Sequence, residues 1–218
     1  MLMAESNLEG TKKQGTFYKF SKRLFDIIGS ALALICLSPL FLVLSIIIKY
    51  HDGGKVFFKQ KRIGQNGKEF WMYKFRSMEE NAEEILKADK ELYAKYVAND
   101  FKLPADEDPR ITSIGKWLRR TSCDELPQFI NILRGEMSIV GPRPIVPKEL
   151  KEYGERAAKF LSVKPGAMGL WQATGRSNIT YPERCDVELE YVDKASLGYD
   201  WKIFFLNLIS IFKQDGAF

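Results

Sequence analysis

From Ile27 to Ile48 the chain runs 22 residues without a charged side chain, and a proline stands near the middle, in ICLSPLFLV. As one straight helix this stretch would measure about 33 Å, close to the roughly 30 Å hydrocarbon core of a bilayer. Pro39 opposes a straight helix: it removes a backbone donor and its ring crowds the carbonyl of Ile35. Ser38 can turn its hydroxyl back to the Leu34 carbonyl and deepen the bend. Both flanks are basic, with Lys12, Lys13, Lys19, Lys22 and Arg23 before the run and Lys49, Lys55, Lys59, Lys61 and Arg62 after it. A spanning helix should carry a one-sided excess of such residues. Two readings follow: a kinked spanning anchor, or a re-entrant helix-break-helix whose arms of about 16 Å return both ends to the cytoplasmic side. A mostly polar stretch of 26 residues precedes the run and no small-x-small cleavage site follows, so it does not read as a signal peptide.

The 218 residues leave room for one sizeable domain plus this appendage. A formal net charge of +5 suits an anionic partner: nucleic acid, a phosphorylated substrate or an acidic lipid. Cys36, Cys123 and Cys185 lie far apart, which is no disulfide framework and no zinc pattern, and a reducing location is expected. His51 is the single histidine, so Ser-His-Asp, Cys-His and multi-histidine metal chemistry are excluded. Catalysis in such a chain falls to carboxylates, Lys, Arg, Ser or Cys, with a hard cation where one is needed.

The expected fold class is α/β and helix-rich, with a small β-hairpin or sheet and amphipathic interfacial helices. The expected layout is a flexible N-terminus over 1–19, the membrane segment over 20–50 and a cytoplasmic catalytic domain over 51–218. Two strands flank Asn66-Gly67, a strong hairpin signal. In the second strand Trp71, Tyr73 and Phe75 alternate with Met72, Lys74 and Arg76, predicting an aromatic face and a face ending in two cations. Ser77 and Glu80 fit a capping box that opens a helix. Leu126, Phe129, Ile130 and Leu133 predict one apolar helical face, ended by Gly135, with MSIV as a short strand after it. Near the C-terminus Phe204, Phe205, Leu208, Ile209 and Phe212 share one side of a helix, which suits a core helix or an interfacial one equally.

The densest chemistry lies in RRTSCDELPQFINILRGEMSIVGPRP, residues 119–144. Asp124 and Glu125 stand at the expected start of a helix, whose free N–H groups favour anions. Ser122 with Glu125 fits a capping box, and Asp124 as N-cap with Pro127 in the first turn fits equally. Arg119 and Arg120 precede the pair. Arg143, between Pro142 and Pro144, is presented from a stiff loop. A carboxylate among arginines in a basic, membrane-associated chain points to phosphate chemistry, with cations offsetting the charge of the oxygens an anionic Asp must approach. KPGAMGLWQATGRSN adds a glycine-rich loop, Trp171 and Arg176.

Together KRLFDIIGSALALICLSPLFL, YKFRSM, DPRIT, the DELPQ…GPRP block and PGAMGLWQATGR resemble the bacterial sugar transferases, the monotopic phosphoglycosyl transferases, from about Phe20 to the C-terminus. The resemblance implies a re-entrant membrane helix broken at Ser38-Pro39 and a catalytic Asp124-Glu125 dyad. It implies attack of Asp124 on the β-phosphate of a UDP-sugar, release of UMP, and displacement by undecaprenyl phosphate in a ping-pong route. Arg119 and Arg143 match phosphate-holding arginines and Arg176 one tied to nucleotide-sugar binding; Lys74 and Arg76 are further candidates. Mg²⁺ is the implied cofactor, held by Asp124 and Glu125, with the inner-membrane lipid as surroundings, room for a homodimer and no nucleic-acid role.

The residue 77–108 insert and the QDGAF ending resemble members that transfer hexose-1-phosphate, galactose or glucose, in capsule, exopolysaccharide or O-antigen synthesis. An N-acetylated sugar is the alternative substrate, and a non-enzymatic assembly scaffold the alternative role. Longer members carry an N-terminal multi-span region, so this chain resembles the compact catalytic form. Two departures stand out: Ala167-Met168 in PGAMG, where the family usually has PGITG, and Cys123, often leucine.

Overall fold

The computed structural model describes residues 14–98, 103–175 and 179–213. Among these it contains ten α-helices and four short strands, the helix-rich α/β class expected. The chain divides into two compact units built from interleaved segments. Among the described residues one comprises 14–37, 59–73, 127–175 and 179–213, the other 38–58, 74–98 and 103–126.

The apolar run forms two helices, α1 (Thr16–Cys36) and α2 (Ser38–Asp52), bent by 60° at the single residue Leu37. No single helix among the described residues is long and apolar enough to cross a membrane, although the bent pair meets the length and composition together. The break falls just before Ser38-Pro39, so the proline opens α2. There its missing N–H has no intrahelical partner to lose. Both helices leave apolar side chains outward. In α1, Asp26 and Ser30 are buried while Phe17, Phe20, Leu24, Ile28, Leu32 and Ile35 are exposed. In α2, Leu44 and Ile48 are buried while Leu42, Val43, Ile46 and Ile47 are exposed. In water so large an apolar surface is unfavourable; against lipid it is not.

In the first unit α1 is fastened by charge. Lys22 Nζ donates to Asp200 and to the Val140 carbonyl, each at 2.8 Å. Arg23 donates to the carbonyls of Ile132 and Leu133 at 2.6 and 2.8 Å, at the end of α6 (Gln128–Leu133). Asp26 accepts from Ser138 Oγ and the Ile139 N–H, both at 2.9 Å. Those residues belong to β3 (Ser138–Val140), which pairs in parallel with β4 (Gly166–Met168), Ser138 opposite Gly166 and Val140 opposite Met168.

The hairpin forms as expected. β1 (Phe57–Ile63) and β2 (Glu69–Phe75) flank a 3-10 turn in which Asn66 and Gly67 take φ of 58° and 76°. Burial divides neither expected face of β2 cleanly. Phe70 and Met72 are buried, Trp71 is exposed and Tyr73 half-buried; of the expected aromatic row only Phe75 is in a core, that of the second unit. The α6 face is rotated. Gln128, Asn131 and Ile132 are its buried residues, with Leu126 just before the helix and Phe129, Ile130 and Leu133 within it less enclosed. The reason is Asn131, fully buried, whose amide satisfies β2: its Oδ1 accepts from the Tyr73 N–H at 3.0 Å and its Nδ2 donates to the Trp71 carbonyl at 2.7 Å. Gly135 ends α6 at φ 79°, as expected.

The unit closes with α7 (Ala157–Phe160), α8 (Leu170–Thr174), α9 (Glu183–Lys194) and α10 (Leu197–Lys213). In α10 Ile203, Asn207 and Asp200 face inward, whereas Trp201, Phe205 and Ile209, one every fourth residue, are exposed. The helix thus serves the core on one side and leaves an exposed apolar row on another. Phe212 lies where no side chain is described.

In the second unit the capping box does not open the helix. Helix α3 (Ala82–Ala88) starts later, and α4 (Lys90–Ala98) follows with Asp89 Oδ1 accepting from the Glu91 and Leu92 N–H groups at 3.0 and 2.9 Å. Ser77 is taken up elsewhere, its hydroxyl accepting from Arg119 Nε at 2.9 Å. Thr112 caps α5 (Ser113–Arg120), accepting from the Gly115 N–H at 2.9 Å. A side chain at Gly115 would place Cβ 2.0 Å from the Ser77 carbonyl oxygen, so only glycine allows that approach. Leu44, Ile48, Phe75 and Leu118 form the core, with Cys123 and Leu126 packed against it.

Candidate active site

After α5 the chain turns through Ser122 in a left-handed conformation, φ 58°, into a 3-10 turn, Cys123–Glu125. Neither expected cap frame is realised. Ser122 makes no side-chain cap, and α6 starts only at Gln128 with Pro127 before it. The field of a helix end is therefore a smaller influence on the dyad than the spacing suggested. A cation takes its place: Lys74 Nζ lies 2.7 Å from Glu125 Oε1 and 3.6 Å from Asp124 Oδ2. Asp124 is buried and Glu125 half-buried, so the ion pair is screened less than a surface pair.

Arg119 belongs to the same unit. Burial pushes its guanidinium below the ordinary arginine value, while the charges of Asp124 and Asp108 push it back up. Asp108 itself grips Arg110 with two bonds, 2.8 and 2.7 Å, in the DPRIT stretch. Arg76 is buried, its Nε donating to the Lys55 carbonyl at 2.6 Å and its Nη2 reaching the Ile48 carbonyl at 3.5 Å. These bonds tie the residue that follows β2 to the end of α2 and the residues after it. Lys74, Asp124 and Glu125 are thus brought together, with Arg119 electrostatically coupled to Asp124.

Arg143 belongs to the first unit. Its guanidinium lies over Trp171, 5.7 Å from the ring centroid. The loop around it is locked by backbone bonds: Gly141 N–H to the Met168 carbonyl at 3.0 Å and Gly166 N–H to the Pro142 carbonyl at 2.8 Å. A Cβ on Gly166 would fall 2.1 Å from the Gly141 nitrogen, so the glycine of PGAMG is a contact requirement. The two departing residues, Ala167 and Met168, sit in β4 and pack on the core. Arg176 lies outside the described residues.

Two residues on α9, Glu188 and Arg184, carry no mark in the sequence motifs. Arg184 is sandwiched between Trp171 and Tyr181, 4.4 and 5.0 Å from their centroids, with Glu188 and Glu149 at 3.8 and 3.6 Å. A signal was present: the two are opposite charges four residues apart on the helix face that carries Cys185, Leu189 and Val192.

The family model of the bacterial sugar transferases matches residues 17–214. The chain is a bacterial sugar transferase. Among its relatives is the exopolysaccharide production protein ExoY of Sinorhizobium fredii, 43% identical over 91% of this chain and 88% of that protein. The transferase is also 42% identical, over 92% of its length and 42% of the relative's, to an undecaprenyl-phosphate galactose phosphotransferase of Salmonella typhimurium. A UDP-glucose:undecaprenyl-phosphate glucose-1-phosphate transferase of Klebsiella pneumoniae is 38% identical over 90% of this chain and 41% of its own. The transferase therefore spans most of the ExoY relative and about two-fifths of the two phosphotransferases.

Among the described residues no three His, Cys, Asp or Glu side chains converge on one point, so the transferase shows no all-protein metal cage there. Asp124 and Glu125 do offer hard oxygen donors side by side. That set fits Mg²⁺, which keeps several waters and takes substrate phosphates as ligands.

Proposed function

We propose that this transferase moves a hexose-1-phosphate from a UDP-sugar to undecaprenyl phosphate and releases UMP, with galactose or glucose as the sugar. The observation that carries the reading is the Lys74–Glu125–Asp124 cluster, a buried carboxylate in a cationic setting, in a chain whose relatives are named for this transfer. In the first half-reaction an Asp124 carboxylate oxygen bonds to the β-phosphorus. The bond from that phosphorus to the bridging oxygen breaks, and UMP leaves with the electron pair. In the second, an oxygen of undecaprenyl phosphate attacks the same phosphorus and the bond to Asp124 breaks, which returns the carboxylate and yields the sugar diphospholipid. Lys74 and Glu125 set the charge balance at Asp124 and Arg119 offsets phosphate charge beside it; Arg143, in the first unit, is read as a phosphate ligand in its own right. Asp124 and Glu125 would hold Mg²⁺, whose chemistry there would be further neutralisation of diphosphate charge.

The test uses purified transferase with undecaprenyl phosphate, Mg²⁺ and a panel of UDP-sugars, following UMP. Release from UDP-galactose or UDP-glucose supports the reading and names the sugar; release from none of the panel defeats it.

The site belongs, in this proposal, at the cytoplasmic face of the bacterial inner membrane, with α1 and α2 as a re-entrant pair. The outward apolar faces of both helices and the 60° bend support it. Single cysteines at exposed Lys19 and Lys55 are expected to resist a membrane-impermeant thiol reagent in intact cells and to react after inner-membrane permeabilisation. Labelling of either position in intact cells would make the segment a spanning anchor.

A further inference from the structure

Within Pro142–Pro144 there is one backbone donor, because neither proline carries an N–H. The Arg143 N–H goes to the carboxylate of Glu188, 3.2 Å from one oxygen and 3.3 Å from the other. Backbone bonds to β4 and the residues beside it fix the loop at Gly141 and Pro142, but at Arg143 the side chain of Glu188 is the anchor.

Packing does not explain a carboxylate here. Glu188 is fully buried, and an apolar or amide side chain of similar size would fill that volume without desolvating a charge. The groups facing it come from three elements: Arg184 on its own helix, Arg143 on the loop, and Glu149 and Tyr153 on the 3-10 helix Pro147–Arg156. Glu149 is engaged by the Val146 N–H at 2.8 Å and by Arg62 and Arg184, each at 3.6 Å. An acid kept at such a place, with its oxygens on one loop amide, is placed to act on that loop.

We propose that Glu188 is the positioning residue of Arg143: its carboxylate holds the GPRP loop so that the guanidinium is presented to the donor phosphate, setting donor affinity more than the chemical step. This rests on the reading of Arg143 as a phosphate ligand under the proposed function.

Burial pushes the Glu188 carboxyl up to about 7, against the lowering effect of Arg184 and Arg143. The folded chain therefore binds more protons than the unfolded one between the ordinary value of 4.5 and about 7. Its contribution to stability is fully present below that window and is lost as pH rises through about 7. Donor binding follows the opposite sign, because the ionised carboxylate is the stronger acceptor for the Arg143 N–H. A residue that merely supported the fold would not separate the two.

The experiment measures donor KM, kcat and thermal midpoint at about pH 6 and about pH 8 for wild type, Glu188→Gln, Arg143→Ala and the double variant. Glu188→Gln is expected to raise donor KM about 5- to 10-fold at the higher pH with kcat within about 2-fold. It should also flatten the pH dependence of KM and remove the stability loss that wild type shows as pH rises. In the Arg143→Ala background it should add less than about 2-fold, since it acts through that residue. Glu188→Asp keeps the charge on a shorter stem. If the Gln variant does not fold, a raised KM with retained pH dependence in the Asp variant supports the proposal, and an unchanged KM there overturns it. Unchanged KM in the Gln variant, equal loss in kcat and KM, or full additivity with Arg143→Ala overturns the proposal while the transferase reading stands. A wild type that releases no UMP from any UDP-sugar overturns both.

Discussion

Asp124→Asn is expected to reduce UMP release by on the order of 10³-fold or more, because the amide has no anionic oxygen to bond to phosphorus. The substitution is close to isosteric, and Lys74 keeps its nearer partner Glu125 at 2.7 Å, so folding is expected to survive. Two measurements separate loss of the nucleophile from loss of structure. The thermal midpoint should stay within a few degrees of wild type. Brief incubation with a UDP-sugar labelled in the sugar should leave label on wild-type protein and none on the variant. Turnover in Asp124→Asn comparable to wild type would remove Asp124 from the chemistry and leave the scaffold reading as the stronger one.

Asn131→Leu is expected to cost the fold about 3 kcal/mol or more, although leucine occupies a similar volume. Asn131 has no solvent exposure, and its amide is spent on the Tyr73 N–H, the Trp71 carbonyl and Glu136 Oε2, at 3.0, 2.7 and 2.6 Å. Leucine leaves all three without that partner beside a fully buried side chain, at part-buried bonds, and such groups cost more unmade than they contribute when made. Denaturant or thermal unfolding in detergent or lipid discs measures the loss. A change below about 1 kcal/mol would show that β2 is held by its hairpin partner and not by α6. Tyr73 immediately precedes Lys74, so the variant should also lose activity at temperatures where it is still folded.

The elements legible in the sequence are those set by neighbours along the chain. Asn66-Gly67 names a hairpin because two consecutive residues must take positive φ. Gly135 ends a helix for the same local reason. Pro39 in an apolar run announces a break, since no partner elsewhere can restore its missing N–H. Where local pattern misled, the deciding contact came from far away. Ser77 has the spacing of a cap, but Arg119, 42 residues on, takes its hydroxyl. The α6 face has the spacing of Leu126, Phe129, Ile130 and Leu133, but the backbone of β2 calls for Asn131 from about sixty residues away, and meeting that need turns the helix. In β2 alternation gives two faces without saying which meets a core, and the structure buries Phe70, Met72 and Phe75.

The site divides in the same way. Residue types alone determined that this chain works without histidine triads, that its carboxylates and arginines gather between residues 119 and 144, and that a broken apolar segment precedes them. Spacing suggested that a helix end charges the dyad; tertiary structure assigned that task to Lys74, 51 residues from Glu125 in sequence. Only the tertiary structure showed Glu188 under the GPRP loop, because a buried charge is recognised by what surrounds it. Local backbone preferences are written in adjacent residues, whereas a charge's environment is a sum over every element folded against it.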